Sequence, residues 1–409
     1  MKRLVTVALG ILTAIGGFVD IGELVTGTAV GARFEMRLAW ATGLSLVTIV
    51  VFAEMSGRVA AVSQRPVFDL VRERLGPRFA LANLVASFVI TLATVAAEIG
   101  GAALAIELAT SVNYVLWVPL VALVLWLVVW RVKFDLMENV FGLLGLALLV
   151  AAVAVWRLHP DWSDVAHQVL HPTKPTTESV PSYWYYAIAM FGAGVMPYEV
   201  FFFSSGAIEE HWTEADLATE RANVFIGFPI GSMVTLSLAL GAALVLAPRQ
   251  IEVTSLYQAA LPTTQALGPW ALVVVIIGFF ACTFGAALET MLSCGYMVAQ
   301  FFGWQWGKAA APRQAARFHM VVLFGLVAAT GLVLTGLDPV RITEFVVVLS
   351  AAALPLTYFP VLVVANDPEY MGEKTNSRVT NALGVALFAV LLVVSLATPV
   401  LMVLTKAGG

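Results

Sequence analysis

The chain has 409 residues, of which 60% are apolar and only 12% charged, with a formal net charge of −4 and a mean hydropathy of +0.91. Soluble domains carry about 25% charged and 45–50% apolar residues, so a soluble globular enzyme is excluded and a polytopic membrane protein is indicated. The near balance of 22 basic and 26 acidic residues gives no electrostatic basis for a nucleic-acid partner.

A helix needs about 20 apolar residues to cross the hydrocarbon core. Eleven stretches qualify, at about 4–30, 39–62, 79–107, 113–131, 136–157, 181–205, 222–247, 269–302, 316–336, 342–365 and 379–404. Strand-period alternation is absent, and lipid leaves the backbone only helices as an alternative to a closed barrel. Lys2-Arg3 leads into an apolar run with no small-residue cleavage site and soluble domain after it, so this run reads as the first span.

That span is interrupted. Its stretch GGFVDIGELVTGTAVGARF, residues 16–34, sets Gly16, Gly17 and Gly22 around Asp20 and Glu23. After the second span, residues 64–77 pattern as an amphipathic interfacial helix with Val67, Leu70, Val71 and Leu75 on one side. The third span carries Glu98. The longest loop, about 158–181, holds His159, His167 and His171. A spacing of eight and then four puts only the last two on one helical face, which favours a solvated loop over a metal site. The sixth span is interrupted in its turn, by Gly192, Gly194 and Pro197 around Met196, with Glu199 following. Proline removes a helix donor and glycine relaxes the backbone. Glu54 and Glu289 are expected at helix contacts or span ends, and Cys282 and Cys294 as buried small side chains.

Interruptions in the first and sixth spans correspond if about 4–157 and about 181–365 form a repeat pair, with about 379–404 as an additional helix. Matching broken helices mark the substrate site of inverted-repeat transporters. Fifteen of the 22 basic residues fall on the side of the N-terminus and seven on the other, which places the N-terminus in the cytoplasm and, with eleven spans, the C-terminus outside.

Carboxylates at membrane depth cost a few kcal/mol or more each and mark function. Asp20, Glu23, Glu98 and Glu199 lie there. Asp20 and Glu23 share a helical face, and two adjacent carboxylates require a cation between them or a proton on one. Met196 is on its own a common gap-filler, although its thioether is also a soft ligand.

These residues resemble the NRAMP family of divalent-metal transporters over nearly the whole chain. The family's Asp-Pro-Gly-Asn is similar to Asp20-Ile21-Gly22-Glu23, and its Ala-x-x-Met-Pro-His to Ala193-Gly194-Val195-Met196-Pro197-Tyr198. The third-span Ala-Glu followed by Gly-Ala-Ala matches Ala97-Glu98 and Gly101-Ala102-Ala103, and Asp338-Pro339 precedes the tenth span. The resemblance implies the inverted-repeat fold shared with sodium-coupled amino-acid transporters and a metal held by Asp20, Glu23, the Ala193 carbonyl and the Met196 sulfur. Glu98, Tyr198 and Glu199 are implied as proton-handling or supporting groups.

The departures are specific. Asn becomes Glu23, the break's proline becomes Ile21, so that break would rest on glycine, and the sixth-span His becomes Tyr198. Val95 replaces a third-span Asp, Ala353 a tenth-span Gln, and only Arg317 remains of two adjacent arginines. The family links several of these groups to proton movement, so proton coupling of the usual kind is not expected, while Glu23, Glu98 and Glu199 leave another route for protons open. The carboxylate at position 23 adds hardness that suits Ca²⁺ or Mg²⁺, whereas Met196 favours Mn²⁺ or a similar transition metal and decides for it.

The leading reading is a non-enzymatic secondary transporter that moves a divalent metal ion by alternating access, without a cofactor and as a monomer in the lipid bilayer. A transporter of a small organic substrate on the same fold is the alternative, and two acidic residues at the break disfavour a carboxylate substrate. A non-transporting metal sensor is the third reading.

Overall fold

The computed structural model describes residues 19–408, apart from the side chains of Phe134, Asp135 and Glu138. Among these residues every regular element is helical, as lipid requires of a backbone that must satisfy its own hydrogen bonds. In chain order they are α1 (Ile21–Phe34), α2 (Ala39–Ser63), α3 (Val67–Leu75), α4 (Pro77–Thr110), α5 (Tyr114–Arg131), α6 (Phe134–Gly145), α7 (Val150–Arg157), α8 (Trp162–Leu170), α9 (Val180–Ala193), α10 (Pro197–Glu209), α11 (Leu217–Ala222), α12 (Phe228–Val245), α13 (Leu256–Leu267), α14 (Pro269–Phe302), α15 (Ala316–Leu334), α16 (Pro339–Ala365) and α17 (Arg378–Leu404). Ten segments among the described residues are long and apolar enough to span a membrane. They match the second to eleventh expected spans. The first, 4–30, falls partly outside the described residues, as do Lys2, Arg3, Gly16 and Gly17.

Helix starts follow local chemistry. Pro77, Pro197, Pro269 and Pro339 occupy the first helical position of α4, α10, α14 and α16, where a missing N–H loses nothing and φ is already set. Asn113, Asp161, Ser179, Asp338 and Ser377 cap α5, α8, α9, α16 and α17 with their side chains.

The two longest helices, α4 and α14, pack along each other as the spine of the molecule, and α1 lies against α12. Such close approach needs small residues, as in other membrane bundles. A methyl on Gly31 of α1 would overlap the Ala239 carbonyl of α12, and one on Gly100 of α4 would stand 2.5 Å from the Pro339 side chain. By contrast α17 is mostly exposed to its surroundings.

The amphipathic segment forms α3, with Val67, Phe68, Leu70 and Val71 buried. It is tied down where Ser204 of α10 accepts from the Val67 N–H at 2.8 Å. The expected solvated loop at 158–181 contains the short helix α8, capped by Asp161. His167 and His171 stack at 4.7 Å, and all three histidines are exposed. Cys282 and Cys294 are buried free thiols.

Candidate functional site

The first break is built by a carboxylate. Asp20 is in extended backbone (φ −108°, ψ −179°), its Oδ1 accepts from the Glu23 N–H at 3.0 Å, and its carbonyl accepts from Leu24 at 3.1 Å. The helix therefore starts at Ile21, in the middle of the expected span. A side-chain cap sets this start, together with Glu98 of α4, whose Oε1 accepts from the Ile21 N–H at 3.1 Å. Gly16 and Gly17, on which the break was expected to rest, lie outside the described residues.

The second break separates α9 from α10. Helix α9 stops at Ala193, and Met196 (φ −63°, ψ 142°) leads into Pro197 at the first position of α10. The Ala193 carbonyl belongs to a final turn whose acceptors have no helical donors left. Gly194 is required by what surrounds it: a methyl there would stand 2.7 Å from Ser45 Oγ and 3.4 Å from Glu23 Oε1. The Glu23 side chain thus reaches across to the second break, and Tyr198 reaches back, its hydroxyl donating to Asp20 Oδ2 at 3.3 Å. The structure brings all four expected ligands into this region, and Asp20, Glu23, Ala193 and Met196 are each only 1% exposed.

Charge is concentrated here without compensation. Glu23 Oε2 and both oxygens of Glu199 are buried with no hydrogen-bond partner, and Glu98 is fully buried. Glu289 of α14 and Asp20 both lie within electrostatic reach of Glu199. Of the two places expected for Glu289, its burial on α14 fits a helix contact rather than a span end. Glu54 of α2 does sit in a helix contact, accepting from Arg221 of α11 at 3.3 Å. The ion pairs of the described residues lie elsewhere, at Arg33–Glu178, Arg58–Glu54 and Arg65–Asp69 among others. A buried charged carboxylate with no partner costs several kcal/mol, so these groups call for a cation or for protons. Among the described residues no three His, Cys, Asp or Glu side chains converge. A metal here would therefore need the mixed set of two carboxylates, a carbonyl and a thioether.

Sequence reasoning missed the walls of the site. Thr235 of α12 stands beside the Glu23 carboxylate, Ser45 of α2 fills the space at Gly194, and Val347 of α16 would lie 2.9 Å from a methyl on Gly22. Hydroxyls and valines are common in apolar helices, so no local signal marks these three. Ala353, Ile90 and Val346 form an apolar cluster with Met196 and Tyr198, and Val95 is fully buried. Arg317 stacks over Trp304 at 5.2 Å.

The sequence model of the natural resistance-associated macrophage protein-like (Nramp) family matches residues 10–401. The chain belongs to the Nramp family. It is a multi-pass membrane transporter and not an enzyme. It is 25% identical over 378 residues to the divalent metal cation transporter MntH of Aeromonas hydrophila, covering 90% of this chain and 89% of that one. The MntH protein of Klebsiella pneumoniae is 26% identical over 389 residues, 91% of this chain and 89% of that one. Among solved structures, a manganese transporter of Eremococcus coleocola superposes with a TM-score of 0.72 at 18% identity, covering 96% of this chain and 85% of that one. The nucleobase-cation symporter Mhp1 superposes with a TM-score of 0.61 at 14% identity, covering 96% and 92%. The Nramp chain thus has the inverted-repeat transporter fold.

Proposed function

We propose that this Nramp protein carries a divalent metal ion, Mn²⁺ or a similar transition metal, across the membrane by alternating access, holding it between the two helix breaks. Asp20 and Glu23 would supply carboxylate oxygens, Ala193 its carbonyl and Met196 its sulfur. The observation that carries the reading is the Glu23 oxygen buried without a partner beside an Asp20 that has only neutral donors. A divalent cation placed there offsets both carboxylates at once. The names of the MntH relatives and of the manganese transporter support the same substrate class.

Met196 sets the selectivity. Thioethers favour transition metals over Mg²⁺ and Ca²⁺, whereas carboxylates accept either. Apolar Val95 and Ala353 and the phenol of Tyr198 replace polar or titratable groups of the family pattern, so the membrane potential is the driving force in this reading. Two charges moving inward gain about 4.6 kcal/mol per 100 mV, from ~2.3 for each. Lys and Arg bias puts the N-terminus in the cytoplasm.

Calorimetric titration of purified protein tests the ligand set. Asp20→Ala is expected to weaken Mn²⁺ binding by about a hundredfold, the loss of roughly 3 kcal/mol that follows from unpairing a buried charge. In Met196→Ala the preference for Mn²⁺ over Ca²⁺ should fall about tenfold or more. An unchanged preference would show that the sulfur is not the selector, and tight binding with no flux would favour a sensor.

A further inference from the structure

The first turn of α1 leaves the N–H groups of Ile21, Gly22 and Glu23 without an acceptor within the helix, which begins with the Leu24 N–H bound to the Asp20 carbonyl. That of Glu23 is met locally by Asp20 Oδ1 at 3.0 Å. That of Ile21 is met from another part of the chain. Glu98 lies 77 residues away on α4 and accepts that hydrogen with Oε1 at 3.1 Å and Oε2 at 3.4 Å. One turn further along α4, Gly101 leaves room for the Ile21 side chain, whose Cδ1 would be 2.5 Å from a methyl there. Glu98 and Gly101 therefore present one face of α4 to the backbone and side chain of a single residue, and that residue sits next to Asp20 and two before Glu23.

A proline at the first helical position has no N–H to satisfy and is pre-set for the helix. With Ile21 there, the donor exists, and it is buried where no water would otherwise meet it. Leaving such a group unpaired is costly. We infer that Glu98 is a positioning residue for metal binding: its carboxyl holds the Ile21 N–H and so fixes where α1 begins and how Asp20 and Glu23 are presented. The inference rests on the reading of Asp20 and Glu23 as metal ligands, but the contact it invokes does not.

The test is a double-mutant cycle read by Mn²⁺ titration, with amide hydrogen exchange of the segment around residues 21–24 measured in parallel. Glu98→Ala removes the acceptor and should weaken Mn²⁺ binding about tenfold while speeding exchange in that segment. Glu98→Gln keeps a carbonyl oxygen in place and should stay within about threefold of the parent in affinity, with exchange unchanged. Ile21→Pro removes the donor, so in that background Glu98→Ala should cost less than about threefold. Ile21→Pro is compared only with its own double mutant, because it also gives up the packing on Gly101.

Glu98→Gln as impaired as Glu98→Ala, or an equal loss in both backgrounds, would overturn the inference, because a group that acts only through its charge or its proton behaves in that way. Should Ile21→Pro not fold, the exchange difference between the Ala and Gln variants decides alone. Asp20→Ala is run alongside: if it binds Mn²⁺ like the parent, the ligand assignment fails, while the exchange data still report on the cap.

Discussion

Gly194 shows how little slack the site has. A methyl there would stand 2.7 Å from Ser45 Oγ and just touch Glu23 Oε1 at 3.4 Å, so Gly194→Ala should displace Ser45 and crowd the Glu23 carboxylate. Weaker Mn²⁺ binding is expected, with a stability loss of about 1–3 kcal/mol from overpacking; thermal unfolding and titration of the same preparation check both. Asp20, Glu23, Glu98 and Met196 were legible in the sequence because a charge inside an apolar span demands a reason, and because a Met-Pro pair interrupts a helix. Thr235, Ser45 and Val347 were not, since they come from three other helices and each is ordinary for its own. For Glu289 the sequence left two places open, a span end or a helix contact, because the 34 residues of α14 exceed the membrane's thickness and do not fix which of its turns lies at the level of Asp20.

At the level of elements, the two breaks arise by different means. Met196-Pro197 ends one helix and begins the next by proline chemistry, which composition reveals. Asp20 begins α1 by capping, with Glu98 completing the cap from α4, and a tertiary contact of that kind has no local signature. The nine-residue α8, capped by its own Asp161, lies among histidines and prolines that read as loop. Two contacts hold neighbouring elements in register. Helix α1 crosses α12 at Gly31, where any side chain would meet the Ala239 carbonyl, and Gly31→Ala is expected to lower the melting temperature by several degrees. Arg58 of α2 is buried, binds Glu54 through Nε and Nη2, and donates to the Lys374 carbonyl and the Asn376 side chain ahead of α17. Arg58→Ala leaves Glu54 buried with only the half-exposed Arg221 and should destabilise the protein by about 3 kcal/mol or more. A Met substitution, which keeps the apolar stem, should recover little of that loss; near-complete recovery would assign the residue to packing instead.

For the whole molecule, hydropathy alone was enough for the order of the second to eleventh spans, the ten that lie among the described residues. Their assembly follows from small residues where helices cross, which sequence shows only as a high glycine and alanine content. That assembly places an uncompensated acidic centre midway through a bundle of apolar helices. The proposed ligand set joins hard oxygens to one soft sulfur, and Val95, Tyr198 and Ala353 stand where the family pattern has polar or titratable groups. In the proposed reading the centre takes a transition metal from water and releases it under a voltage. The most direct measurement is metal uptake into proteoliposomes loaded with a metal-quenched dye, at fixed membrane potential, with Mn²⁺, Ca²⁺ or Mg²⁺ outside and internal pH followed in parallel. Saturable Mn²⁺ uptake is predicted, faster at inside-negative potential, lost in Asp20→Ala and unaccompanied by internal acidification. No flux of any divalent ion from folded protein, or uptake unchanged in Asp20→Ala, would contradict a metal path through the helix breaks.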